Sequence, residues 1–108
     1  MPRSSRKKTE PERPLRDEIV EALKNTFDPE LGIDIYTLGF IRKIQINPDK
    51  EAVLIEMTLT SPLCPYGPRM LREVEGALKK IGLKRIRVEF VFDPPWQPSS
   101  EVRQMLGV

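Results

Sequence analysis

The chain has 108 residues, of which 39% are hydrophobic and 31% are charged, and its formal net charge is +2. This length suffices for one domain with a modest core and is too short for two. The absence of histidine removes the usual general base and the commonest zinc ligand, and one cysteine cannot form a disulfide within the chain. No stretch approaches the roughly 20 apolar residues that span a bilayer, and no apolar signal segment opens the sequence. We therefore expect a cytoplasmic protein without membrane contact.

The first 14 residues form a basic segment with almost no apolar side chains. Its charged residues are Arg3, Arg6, Lys7, Lys8, Glu10, Glu12 and Arg13. Such a segment cannot offset the entropy of its own ordering, so we predict a disordered tail over residues 1–14 and one domain over residues 15–108. The tail is most simply a solvated extension, and contact with nucleic acid or an acidic partner is the alternative.

The first predicted helix begins at Pro14 and ends near Thr26 or Phe27, because the residue before Pro29 avoids helical geometry. Its apolar stripe is Leu15, Ile19, Leu23 and Phe27.

A tight turn is predicted over residues 28–32, where Gly32 can take a positive φ angle. In the simpler interpretation, this turn only terminates the first helix. Under a functional interpretation, it presents Asp28 and Glu30 as two carboxylates on a fixed loop.

Three strands are predicted from period-two alternation. The first begins at Phe40 and continues through Ile44 and Ile46, and a hairpin turn at residues 47–50 leads to an antiparallel second strand over residues 52–60. One face of the second strand carries Val53, Ile55, Met57 and Leu59, and the other carries Leu54, Glu56, Thr58 and Thr60. The third strand alternates at Ile86, Val88, Phe90 and Phe92.

The segment between the second strand and the second helix holds the only cysteine, Cys64. Pro65 suits the first turn of a helix that runs to about Lys80, so we predict Cys64 at the N-cap, facing unpaired N–H groups and the positive end of the helix dipole. That position favours a thiolate, which binds metal or attacks electrophiles. The flanking prolines at positions 62, 65 and 68 stiffen the loop. Alternatively, Cys64 is a small buried hydrophobe.

The chain ends in a proline-rich loop at residues 93–98 and a short helix capped by Ser99. Trp96 in this loop is either a plug over the core or part of a recognition surface, and packing is the simpler interpretation. Val102, Met105 and Leu106 are predicted to fold back onto the body.

The predicted order is α-β-β-α-β plus a short C-terminal helix. The crossover through the second helix makes the third strand parallel to its neighbour. Two helices on one face of a small mixed three-stranded sheet give a two-layer α+β domain. The other face of the sheet is thinly covered and is a natural surface for self-association.

Four short motifs occur in order along the chain: DPELG at 28–32, LGFI at 38–41, MTLTSPLCP at 57–65 and DPPW at 93–96. They resemble the successive signatures of small iron–sulfur assembly domains typified by PaaD and SufT. The resemblance covers residues 15–108 and implies a similar fold. It also implies a role in maturing iron–sulfur proteins, as a cluster carrier or as an adaptor between scaffold and recipient.

By this resemblance, Cys64 matches the characteristic cysteine, and Thr60 and Asp28 match a threonine and an acidic residue of the family motifs. Thr58 and Glu30 are carried over with them. We hypothesise that Thr60 donates a hydrogen bond to the sulfur, and that Asp28 opposes the thiolate charge or takes up a proton.

The resemblance further implies work beside an iron–sulfur scaffold or a P-loop carrier ATPase, and beside recipient apo-proteins. The chain contains no G-x-x-x-x-G-K-[ST] sequence, so nucleotide would come with a partner. An iron–sulfur cluster normally takes four ligands, mostly thiolates, and each chain offers one. A transient cluster would therefore need Cys64 from two chains of a homodimer, small thiols or a recipient.

Two other functional classes, a cysteine hydrolase and an RNA-binding module, have less support in the sequence. A cysteine hydrolase would need a base beside Cys64, and without histidine Asp28 or Glu30 would have to serve, so we expect no enzyme. A KH-type RNA-binding module needs a G-x-x-G loop, which the sequence lacks, so nucleic-acid binding is disfavoured.

Overall fold

The computed structural model describes residues 13–47, 49 and 51–107, with the side chains of residues 13–15 left out. Residues 1–12 of the predicted tail, two positions of the predicted hairpin turn and the side chain of Leu15 therefore lie outside the described residues.

The described chain contains three helices and three strands in the predicted order. Their bounds are α1 Arg13–Lys24, β1 Ile41–Asn47, β2 Ala52–Met57, α2 Gly67–Lys80, β3 Arg85–Phe90 and α3 Ser100–Leu106. No helix in this part of the chain has the length and apolar character needed to cross a membrane.

The sheet has the order β1-β2-β3, with β2 in the centre. β1 and β2 pair antiparallel, with Ile44 opposite Ile55. β2 and β3 pair parallel, with Ile55 opposite Val88. Because directly paired residues lie on the same face, these apolar side chains form one continuous layer. The mixed sheet and the parallel crossover are confirmed.

The core lies between that layer and the helices. α1 contributes Ile19 and Leu23, which are fully buried. α2 buries Met70, Val74 and Leu78, which recur at helical spacing. The inner residues of β2, which are Val53, Ile55 and Met57, are also buried. The two-layer α+β fold is thus confirmed, with hydrophobic burial as its main stabilising term.

The opposite face of the sheet is largely polar. Its exposed or half-buried residues include Lys43, Gln45, Leu54, Glu56, Arg87 and Glu89. Arg87 and Glu89 form an ion pair on it, with Nε and Oε2 2.8 Å apart. Self-association through this face stays a prediction, and the face offers it few apolar side chains.

β2 is shorter than the alternation predicts. It ends at Met57, and the next N–H, that of Thr58, donates to the carbonyl oxygen of Phe40 at 2.8 Å. The register of β1 against β2 shifts between Ile41 and Lys43, so the ladder is irregular just before β2 ends. Thr58 is consequently fully buried, whereas strand alternation predicted it on the outer face.

α1 ends at Lys24, earlier than predicted, and Phe27 is therefore not part of its buried stripe. The Phe27 side chain is 52% exposed, and its backbone forms an isolated antiparallel bridge with Asp34. Because Phe27 lies beyond the end of α1, the 3.6-residue helical period no longer determines whether its side chain faces the core or the solvent.

The C-terminal segment packs onto the body as predicted in most respects. The Trp96 ring meets Phe40 edge-on at a centroid distance of 5.4 Å, which confirms the packing interpretation. Ser99 Oγ accepts the Val102 N–H at 3.1 Å and so caps α3. Val102 is buried, but Met105 is 59% exposed, so the prediction that Met105 folds back onto the core is wrong.

Candidate functional site

Cys64 lies in a pair of successive turns between β2 and α2. Its N–H donates to the carbonyl oxygen of Ser61 at 3.1 Å, and its own carbonyl oxygen accepts the N–H of Gly67 at 3.2 Å. The side-chain oxygen of Ser61 accepts the N–H of Leu63 at 3.0 Å. These hydrogen bonds, with φ of Pro62 fixed by its ring, hold the backbone around the sulfur.

The Cys64 side chain is a free thiol and is half-buried. It packs against the edge of the core without being one of the fully buried residues. The side chain therefore contributes to packing and also keeps a path to solvent. A metal ligand or reactive thiol needs that path.

The helix after the turn begins later than predicted, so Cys64 is not its N-cap. α2 starts at Gly67, and Tyr66 occupies the cap position without a side-chain hydrogen bond. The reason is Pro68: a helix capped at Cys64 would direct the Cys64 carbonyl to the N–H of residue 68, and proline has none. The first helical hydrogen bond instead runs from Met70 N–H to the Tyr66 carbonyl, at 2.8 Å.

The two predicted threonines have different environments. Thr58 is fully buried, and its hydroxyl donates to the carbonyl oxygen of Leu59 at 3.3 Å. Thr60 is exposed, in the same connecting segment as Cys64. In the described part of the chain no hydrogen bond joins Thr60 to the sulfur, so the proposed donation is not made in this conformation. Of the two, Thr60 is the one open to a partner.

Asp28 is only 2% exposed and is engaged by its own turn. Its Oδ1 atom accepts the N–H groups of Glu30 at 2.7 Å and Leu31 at 2.8 Å. Gly32 has φ of 73° and donates its N–H to the Asp28 carbonyl at 2.9 Å. The interpretation of residues 28–32 as a turn that terminates the helix accounts for all of these contacts. Glu30 is exposed on the same turn.

The structure therefore places Cys64 and Thr60 in one accessible segment, Thr58 in the core beneath it, and Asp28 and Glu30 on a separate turn. Sequence reasoning missed two residues of this site. Ser61 holds the Cys64 turn, and the Ser-Pro sequence at 61–62 is the signal that could have indicated it. Leu63 beside the sulfur is 89% exposed, and nothing in its spacing distinguishes it from a core leucine.

The donor set around Cys64 is small. Across residues 13–47, 49 and 51–107, no group of three or more histidine, cysteine, aspartate or glutamate side chains is arranged to hold a metal ion. A cluster in contact with Cys64 would have to take its other ligands from outside this chain.

Comparison with known proteins identifies the family. The model of the family described as iron–sulfur cluster assembly protein matches residues 16–90. The chain belongs to this family. The match includes the turn with Asp28 and the whole connecting segment with Cys64, and the resemblance stated from the sequence motifs is confirmed.

Individual members of the iron–sulfur cluster assembly family are similar over most of their length. The Fe–S protein maturation auxiliary factor YitW of Bacillus subtilis is 40% identical over 86 residues, which is 79% of this chain and 83% of YitW. The Fe–S protein maturation auxiliary factor SufT of Staphylococcus aureus is 41% identical over 70 residues, 64% of this chain and 78% of SufT. A solved structure of a conserved hypothetical protein from Thermotoga maritima superposes with a TM-score of 0.75 at 43% identity, covering 86% of this chain and 94% of that one.

Proposed function

We propose that the protein matures iron–sulfur proteins by contacting the cluster through Cys64 while the cluster passes from a scaffold to a recipient. The observation that supports this most directly is a half-buried thiol on a turn whose backbone is fixed by two hydrogen bonds, one from the Cys64 N–H to the Ser61 carbonyl and one from the Gly67 N–H to the Cys64 carbonyl. A fixed turn presents the sulfur in one geometry, so little entropy is lost when a partner engages it. The family and the maturation factors it contains indicate the kind of cargo.

The small number of ligands that this chain supplies makes its contact with a cluster temporary. A cluster normally takes four protein ligands, and this chain supplies one thiolate. The others would come from a partner, from small thiols or from Cys64 of a second copy in a homodimer. A cluster held in part by another protein is easily passed on, which suits a carrier. The same limit also suits an adaptor that brings scaffold and recipient together without holding the cluster.

The partners proposed are an iron–sulfur scaffold or a P-loop carrier ATPase on the supply side and apo-proteins on the receiving side. The chain has no phosphate-binding glycine loop of its own, so any nucleotide would be bound by the partner. With no histidine available as a base, Cys64 is proposed as a ligand and not as a catalytic nucleophile.

Among the other candidate residues, we propose that Thr60 assists Cys64 directly. Its exposed hydroxyl can bond to the sulfur or to a cluster sulfide once a partner is bound. We assign Thr58 and Asp28 structural roles in shaping the two turns, since both are buried and hydrogen-bonded to the backbone. Glu30, exposed beside Asp28, is proposed as a contact for a partner.

Anaerobic reconstitution with ferrous iron and sulfide tests the carrier function. We expect the wild-type protein to form a species that absorbs visible light, and Cys64→Ser to form none. The matched control is Met105→Ser, which removes a different sulfur-containing side chain, one that is exposed on α3. It should load like wild type.

Transfer is then followed by mixing the loaded protein with apo-aconitase and measuring aconitase activity. Loading that is equal in wild type and Cys64→Ser would overturn the carrier function and leave the adaptor function. Loading without any activation of apo-aconitase would show that the bound species is not available for transfer.

A further inference from the structure

Leu63 is the most exposed large apolar residue of the described chain. Its side chain is 89% exposed, whereas Met105, Phe27 and Tyr36 are 59%, 52% and 37% exposed. A leucine side chain gains favourable free energy when it leaves water, so a protein that covers Leu63 would gain that free energy.

The backbone that carries Leu63 is fixed. Leu63 donates its N–H to Ser61 Oγ at 3.0 Å, and Cys64 donates to the Ser61 carbonyl at 3.1 Å, so Leu63 occupies the tip of a hydrogen-bonded turn. Pro62 precedes it with a locked φ angle. A side chain presented in this way loses little backbone entropy when it is bound.

Leu63 is also the immediate sequence neighbour of Cys64. Consecutive Cα atoms are about 3.8 Å apart, so a protein that brings its cysteines to the Cys64 sulfur comes within reach of the Leu63 side chain. We infer that Leu63 is the apolar contact by which a recipient apo-protein docks, and that recipients present an apolar recess beside their cluster-binding cysteines. This inference rests on the proposed function and names the partner surface of the same site.

The size of the contact favours a recipient over a second copy of this chain. A stable protein–protein interface buries about 1,200–2,000 Å² in total, and one leucine supplies only a small part of that area. The sheet face that was expected to mediate self-association is largely polar. A small apolar contact fits an encounter that must end once the cluster has moved.

The experiment measures activation of apo-aconitase by reconstituted protein at increasing apo-aconitase concentrations. For Leu63→Ser we expect unchanged cluster loading and a half-saturating apo-aconitase concentration raised about tenfold, in line with the loss of one buried leucine side chain. Leu63→Met keeps a large apolar side chain and should stay near wild type. Met105→Ser, the control at another exposed apolar site, should also match wild type.

Each result bears on one hypothesis. A half-saturating concentration for Leu63→Ser that equals wild type, while Cys64→Ser transfers nothing, would overturn the role of Leu63 alone. Equal loss in Leu63→Met and Leu63→Ser would show that the apolar character of the side chain is irrelevant, and would overturn it as well. Size-exclusion chromatography showing a wild-type dimer that Leu63→Ser dissociates would assign the contact to a second copy. A wild-type protein that loads but never activates apo-aconitase would overturn transfer, and with it the docking role.

Discussion

The indole Nε1 of Trp96 donates a hydrogen bond of 2.7 Å to the carbonyl oxygen of Leu38, across 58 positions of sequence. This bond ties the loop after β3 to the segment that enters β1. The Trp96 ring also packs against Phe40, two residues beyond its acceptor. The C-terminal loop is therefore held to the body by one directional bond and one aromatic contact.

Trp96→Phe should lower the free energy of unfolding by about 1–2 kcal/mol, because the aromatic packing is partly kept while the Leu38 carbonyl loses its donor. Urea denaturation measures this, with the m-value expected to stay unchanged. Gln97→Ala, an exposed neighbour in the same loop, is the control and should change stability little. A Trp96→Phe protein as stable as wild type would show that the hydrogen bond contributes nothing net.

Replacing Asp28 separates a turn-forming role from a role in transfer. Asp28→Ala removes the acceptor of two backbone N–H groups and should cost about 1–3 kcal/mol of stability, because these partly buried hydrogen bonds hold the turn together. Asp28→Asn keeps an oxygen in the same place and should retain most of the stability and full transfer to apo-aconitase. If Asp28→Asn were stable but failed in transfer, the carboxylate charge itself would be required.

Two glycine-to-alanine substitutions should have opposite effects. Gly76 lies within α2, and a Cβ there meets no atom within 4 Å, so Gly76→Ala should stabilise the protein by roughly 0.5–1 kcal/mol. Gly32 has φ of +73° and equally open surroundings, so Gly32→Ala should destabilise it by about 1–2 kcal/mol through backbone strain. Thermal or urea unfolding of the pair provides the comparison. The same sign for both would mean that backbone conformation is not the deciding factor.

The half-burial of Cys64 predicts its reactivity. Iodoacetamide should alkylate the native protein, more slowly than the urea-unfolded chain, because the side chain is partly covered by the core. Mass spectrometry reads the result without ambiguity, since the chain has one cysteine. Cys64→Ser gives the background. Labelling that required denaturant would place the sulfur out of reach of any partner.

The fold was largely predictable because local patterns and tertiary packing agree. Alternation along β2 identified its inner face. Helical spacing predicts a stripe of Leu71, Val74, Leu78 and Ile81 on α2, and of these the structure fully buries Val74 and Leu78, with Met70 beside them. Predictions failed at element ends. Phe27 continues a helical period numerically, but the helix has already ended there.

The position of the site in the sequence was predictable, but its three-dimensional geometry was not. The proline-rich sequence around Cys64 indicated a stiff turn, which the structure has. Either Pro65 or Pro68 could lie in the first turn of α2, and the prediction placed Pro65 there. A helix capped at Cys64 would need an N–H group at residue 68, which proline lacks. The environments of Thr58 and Thr60 depend on where β2 leaves the sheet, and the alternation of apolar residues continues past that point to Leu59, so it does not mark the end of the strand.

β2 is hydrogen-bonded to a neighbour on each side, and the chain runs from its last residue into the turn that carries the sulfur. Amide hydrogens of a central strand typically exchange only through large openings, so we expect this end of the Cys64 turn to be anchored to a slowly exchanging strand. We therefore expect the thiol to keep its position from one encounter to the next, and under the proposed function the conformational adjustment during an exchange would fall to the other protein.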